Sequence, residues 1–151
     1  MFRRTKDRIR LEGKLTLILI RCGKEAYRKT YTNMIVDAGI AHIAGLIGGV
    51  AATPFTYIAV GTGTTPPSPS DTALQNEVMR VPATITMLTT TSPNDTVHYD
   101  AVFNITASYS LAEAGIFDAP SGGTMLARRT YTAISVGGGD VLKVVWDIKV
   151  G

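Results

Sequence analysis

Residues 141–150 read VLKVVWDIKV, and large apolar side chains occupy every second position of this stretch. The alternating positions are Leu142, Val144, Trp146, Ile148 and Val150. Because successive side chains of a β-strand point to opposite faces, this period of two predicts a strand with one face in a hydrophobic core. The glycines at 137–139, directly before the stretch, predict a hairpin turn that leads into it.

The same alternation, interrupted by turn residues, recurs along most of the chain and brings the total to about eight predicted strands. The other seven lie at about 14–21, 25–31, 56–60, 79–89, 97–107, 111–117 and 125–134. Their number and spacing predict a mainly β protein, either a sandwich or a barrel. Pro82 falls inside one of them and predicts an edge strand or a bulge, because proline cannot donate to a ladder.

One segment has a different period and predicts a single helix at about 34–47. Apolar residues recur there at helical spacing, with alanines between them. Asn33 is expected to cap its start, and the glycine pair at 48–49 is expected to end it. Because the segment has so few charged residues, we expect this helix to be buried across a sheet. A shorter helical turn is expected at 72–77, where Gln75 can close a capping box.

Length and composition indicate one folded body, residues 14–151, behind an extended N-terminal arm, residues 1–13. The chain has 151 residues, and no shift in composition divides its body. A single cysteine, Cys22, excludes an intramolecular disulfide. His42 and His98 lack metal-ligand spacing, so we predict no metal site. The first apolar run, 15–20, is too short for a signal peptide or a membrane span, so no membrane partner is predicted.

Positive charge is concentrated at the N-terminus. Residues 1–30 hold ten Lys or Arg and three Asp or Glu, whereas residues 31–151 hold five and nine. The arm residues predicted to bind a partner are Arg3, Arg4, Lys6, Arg8 and Arg10. Such an arm is typical of a segment that grips an acidic surface, although it could simply keep the protein soluble. Nucleic acid is disfavoured as the target, because no aromatic residue interleaves with the basic ones at 3–14.

We predict no catalytic residues and no cofactor, and therefore a protein that is not an enzyme. There is no G-x-S-x-G motif, and only two histidines could act as a base. Four aspartates fall in predicted turns or caps, where they have structural roles. They are Asp71, Asp95, Asp118 and Asp140. Glu113 lies in an otherwise apolar strand, so we predict that it forms a cross-strand ion pair with Arg128 or, after a slip of one residue, with Arg129.

Five segments, in chain order, resemble a known group of proteins. They read NMIVDAG at 33–39, YIAVGTGTT at 57–65, SDTALQNE at 70–77, EAGIF at 113–117 and GGTMLAR at 122–128. This ordered set is similar to a family of small structural proteins of tailed bacteriophages, of the head-decoration or tail-fibre-like type. The resemblance covers about residues 14–150. It implies a virion component that is made in the host cytoplasm, with a β-sandwich or β-tulip body and no catalytic activity.

The resemblance leaves the position on the virion open. A capsid decoration (cement) protein would bind the outer face of the major capsid protein as an oligomer, commonly a trimer. A tail, collar or fibre component would instead bind other tail proteins or a host surface glycan. The short compact body and single arm favour the capsid exterior. We also expect the apolar run at 15–20 or its neighbours to lie at a homo-oligomer interface.

A carbohydrate-binding module built on the same sandwich is a further possibility. Such a module needs aromatic side chains exposed on one face of a sheet. The chain has 11 aromatic residues, and most of them fall on the apolar sides of the predicted strands. Tyr27 and Tyr31 are the best candidates for exposed sugar-binding rings.

Overall fold

A computed structural model describes residues 8–151 as two antiparallel five-stranded sheets and one helix. The elements are β1 Leu11–Arg21, β2 Lys24–Thr32, β3 Met34–Ile35, α1 Asp37–Gly48, β4 Tyr57–Gly61, β5 Glu77–Pro82, β6 Thr84–Leu88, β7 Thr96–Asn104, β8 Tyr109–Phe117, β9 Met125–Val136 and β10 Val141–Val150. The strand order is β2-β1-β10-β7-β6 in the first sheet and β3-β9-β8-β4-β5 in the second. The predicted mainly β fold, consistent with a β-sandwich, is confirmed.

The predicted strand at 79–89 is two strands in different sheets, which is one reason why the count is ten and not eight. Pro82 ends β5, and β6 begins two residues later at Thr84. Between them, the backbone N–H of Ala83 donates to Thr56 O at 2.9 Å. Each strand lies at an edge of its own sheet. An edge strand tolerates proline, because the N–H that proline lacks can be on the side that has no neighbouring strand. The chain therefore crosses from one sheet to the other at Pro82.

The helix starts later than predicted, because the residues before it pair as a strand. Met34–Ile35 form β3, and α1 begins after Val36, which makes no side-chain capping bond. Asn33 does not cap the helix as expected. Its Oδ1 accepts a hydrogen bond of 2.6 Å from Nε1 of the buried Trp146. The predicted end is confirmed, since Gly49 takes a left-handed conformation with φ of 71°.

The helix is not buried as its composition suggested. Gly39 is its only buried residue, whereas Ile40 is 52% exposed and Ile47 is 82% exposed. Gly39 faces the backbone of β9, and a Cβ built there would lie 2.7 Å from Leu126 O. One face of α1 therefore packs closely on the second sheet, while apolar side chains on its other side meet solvent.

The first strand begins at Leu11, three residues before the predicted start of the folded body. Leu11 pairs with Val150, and the ladder between β1 and β10 continues to Ile20 opposite Val141. β2 and β10 pair with both edges of β1, and the apolar side chains from Leu15 to Leu19 are 8% exposed or less within the chain itself. Its core-facing residues are Leu15, Leu17 and Leu19, all 3% exposed or less. The apolar character of 15–20 thus has an explanation that needs no partner.

The close approach of helix and sheet at Gly39 gives a matched pair of variants. We expect Gly39→Ala to destabilise the protein by about 1–3 kcal/mol, because the added methyl group would overlap the backbone of Leu126. Gly48→Ala, with nothing within 4 Å of its Cβ, should instead stabilise it by about 0.5–1 kcal/mol. Urea unfolding measures both. Equal effects of the two substitutions would contradict the packing of α1 on β9.

Candidate functional site

Glu113 of β8 and Arg128 of β9 form an ion pair inside the protein. Glu113 is completely buried and Arg128 is 2% exposed. Arg128 Nη2 lies 2.9 Å from Glu113 Oε2, and Arg128 Nε donates to the same oxygen at 3.2 Å. The residue directly opposite Glu113 is Thr130, because the β8–β9 register shifts between Leu111 and Glu113. Arg128 lies two residues before Thr130 on the same face of the sheet, so its side chain reaches the carboxylate diagonally across the two strands.

Arg129, the alternative partner predicted for Glu113, lies elsewhere. Its Nε donates to Thr130 O at 2.8 Å, and its guanidinium lies 5.1 Å from the ring centroid of Tyr31. Adjacent residues of a strand face opposite sides of the sheet. Arg128 and Arg129 therefore contribute to two separate sets of contacts.

Backbone N–H groups of the loop between β4 and β5 surround the rest of the Glu113 carboxylate. Gly63 and Asn76 donate to Oε1 at 3.0 and 2.7 Å, and Gln75 donates to Oε2 at 3.0 Å. Together with the two bonds from Arg128, five N–H donors converge on one carboxylate. Such burial is costly for a carboxylate unless it is fully paired, and here it is.

The two glycines of the GTG sequence at 61–63 permit this close approach. A Cβ at Gly61 would lie 2.6 Å from Glu113 Oε1, and a Cβ at Gly63 would lie 2.5 Å from it. The N–H groups at the ends of the loop bind a carboxylate of the protein's own strand.

Further hydrogen bonds fix the middle of the same loop. Asp71 Oδ2 accepts from Arg128 Nη1 at 3.0 Å and from Ser68 N at 2.9 Å. Gln75 Oε1 accepts from the backbone N–H groups of Thr64 and Thr65, both at 2.9 Å. Gln75 therefore does not close a capping box, and residues 72–77 form no helix. We call these contacts around Glu113, Arg128, Asp71 and Gln75 the Glu113 network.

The Glu113 network has little capacity for chemistry on a substrate. Its carboxylate oxygens and guanidinium nitrogens are occupied by partners from within the protein. A hydroxyl nearby is also engaged, since Tyr131 donates to Glu113 O at 3.1 Å. Burial raises the pKa of Tyr131 far above its usual value. The arrangement can hold a loop against two strands, and that is the role we assign to it.

The two histidines lie in different parts of the fold, and each has partners of its own. His42 Nε2 lies 2.7 Å from Thr53 O and 3.6 Å from Asp118 Oδ2, and the ring packs edge-on against Phe55. His98 Nδ1 lies 2.5 Å from Asp147 Oδ1 across the β7–β10 ladder. Within residues 8–151 no cluster of three or more His, Cys, Asp or Glu is suited to holding a metal.

The turn aspartates bind backbone groups in their own turns. The Arg21 side chain and the N–H of Gly137 hold the pKa of Asp140 below its usual value. The pKa of Asp95 is also well below its usual value, chiefly because Ser92 N–H donates to its carboxylate. Asp118 Oδ1 accepts from Thr124 N at 2.6 Å.

The predicted partner-binding arm lies partly outside the described residues. Arg3, Arg4 and Lys6 fall there, whereas Arg8 and Arg10 are described and exposed. The two tyrosines considered for glycan binding do not present free rings. The Tyr31 ring lies 5.8 Å from Tyr131 and has Lys29 Nζ 5.2 Å from its centroid. Tyr27 packs against the core of the sandwich.

A cleft of about 390 Å³, lined mainly by apolar side chains, lies between α1 and one end of the first sheet. We call it the end cleft. Its lining includes Ile9, Ile40, Ile47, Val97, Ile148 and Val150. Sequence analysis missed it, although the nearly uncharged helix was a signal that we read as burial.

Comparisons with known proteins add no relative. The chain matches no protein-family model, no curated protein and no solved structure. None of the helices in the described part of the chain has the length and apolar character needed to cross a membrane. The function must therefore be argued from the motifs and the geometry given above.

The Glu113 network is expected to stabilise the folded protein. We expect Glu113→Gln to lower the free energy of unfolding by about 3 kcal/mol, because it removes the buried one of the two carboxylates that face the Arg128 guanidinium and leaves only the partly exposed Asp71. Glu25→Gln is the matched control, since it breaks the exposed pair with Arg28 and should cost less than about 1 kcal/mol. Urea unfolding measures both. If the two variants unfold at the same urea concentration, the network does not stabilise the fold.

Proposed function

We propose that this chain is a non-enzymatic structural protein of a bacteriophage virion. Within the virion, we propose that it is a capsid decoration protein on the outer surface of the major capsid protein, where it stabilises the head. One observation carries the proposal. The five segments that resemble phage structural proteins form three separate stretches of the sequence, 33–39, 57–77 and 113–128, yet they contact one another in two places.

The segments contact one another first in the Glu113 network and second where α1 packs on β9. Segments 57–65, 70–77, 113–117 and 122–128 supply the groups around the Glu113 carboxylate. Segment 33–39 supplies Gly39, which packs on the backbone of segment 122–128. A motif set that forms one interlocked unit supports common ancestry of the fold better than scattered turn sequences would.

The same contacts support a structural role rather than a catalytic one. The motif residues bond to one another, so their polar atoms are engaged within the protein. Their combined effect is to stiffen one end of a small sandwich. Resistance to deformation is what a protein that reinforces a shell must supply, because it has to transmit load between its neighbours.

The surface offers features suited to attachment. The end cleft presents apolar side chains that include the exposed Ile47, and Val50, which follows α1 in the sequence, is also exposed. The described part of the basic arm lies at the same place, since Ile9 lines the cleft. A basic, partly apolar segment beside an apolar cleft fits an acidic neighbouring protein, and we propose the major capsid protein as that neighbour.

Imaging of virus particles tests this proposal. We expect particles from the producing host to carry density for this protein over the whole head, and particles lacking its gene to lose that density and break at lower temperature. Density confined to the tail, collar or fibres would assign it to the tail instead. Absence of the protein from purified particles would contradict a virion role altogether.

A further inference from the structure

The four edges of the two sheets are protected unequally. Unpaired strand edges invite pairing with other chains, and proteins blunt them with charges, prolines or short strands. Strand β2 carries four charged residues, and β5 carries two together with a proline. Strand β3 is only two residues long. The remaining edge, β6, has the sequence TITML and carries none of these protections.

The neutral region extends well beyond β6. Residues 81–94, between Arg80 and Asp95, contain no charged side chain. Within the described residues β6 pairs with β7 along one side only, which leaves its other side as the edge of the sheet. Ile85 is 39% exposed and Met87 is 48% exposed, and they lie beside the inward-facing Tyr99 and Val97. The core-facing side of the first sheet therefore remains partly uncovered at this edge.

We propose that β6 is the contact between two copies of this chain. Two β6 strands would pair antiparallel about a two-fold axis at Thr86, the middle residue of the strand. The two five-stranded sheets would then continue as one sheet of about ten strands. This dimer would take the place of the trimer expected from the family resemblance.

The chemistry of the strand favours its own copy as the partner. About a two-fold axis the central residue meets its own copy, and every other residue meets the one equally far from the centre, so a charged residue at the centre would face a like charge. In β6 the pairs would be Thr86 with Thr86, Ile85 with Met87, and Thr84 with Leu88. These pairs add ladder hydrogen bonds and cover both half-exposed apolar side chains. The contact does not depend on where the protein sits in a particle.

Charge substitutions at Thr86 test the proposal on the full chain. We expect the wild-type chain to sediment as a dimer at micromolar concentrations. Thr86→Lys and Thr86→Glu should each raise the dimer dissociation constant at least about tenfold, because two like charges would face each other across the axis. Mixing the two variants should restore a dimer that contains one chain of each. That rescue separates a specific contact from simple misfolding.

Thr30→Lys is the matched control, because Thr30 is also exposed but lies on the charged edge strand β2. It should leave the dissociation constant unchanged. A wild-type chain that sediments as a monomer throughout the micromolar range would overturn the proposal. So would a dimer or trimer that Thr86→Lys leaves intact, or a mixture of the two charged variants that stays monomeric.

Discussion

The burial of the Glu113 carboxylate organises one end of this sandwich. A carboxylate placed among apolar strand residues is tolerated only when hydrogen bonds and a counter-charge replace the water it has lost. Arg128 supplies the charge, and backbone N–H groups at both ends of the β4–β5 loop supply the remaining bonds. The loop must pass close to the carboxylate to donate these bonds. Residues 61 and 63 are glycines because no larger residue fits beside the carboxylate.

This arrangement engages the polar groups of the motif residues inside the fold. The features that we propose for contact with partners lie elsewhere. They are the uncharged edge β6, the end cleft beside α1 and the basic residues that lead into β1. These features are the basis of the structural role that we propose.

The sequence predicted the strands well, because alternation survives wherever one face of a strand is buried. It also marked Glu113, since a lone acid in an apolar strand needs a partner. It could not predict the diagonal reach of Arg128, because a register shift leaves no trace in composition. Nor could it predict that N–H groups of the loop would donate to Glu113, because nearly every residue has a backbone N–H and the sequence does not mark the ones that bind. The exposed helix was misjudged because a nearly uncharged helix can face either its own core or a partner.

The central claim is that the β4–β5 loop is held by Glu113, and amide hydrogen exchange tests it residue by residue. We predict that the N–H groups of Gly63, Gln75 and Asn76 exchange only when the whole protein unfolds, as core strand amides do. Gly138, in an exposed turn, gives the rate of an unprotected amide for comparison. If the three loop amides exchange as quickly as that of Gly138, the carboxylate does not hold the loop and the account is wrong.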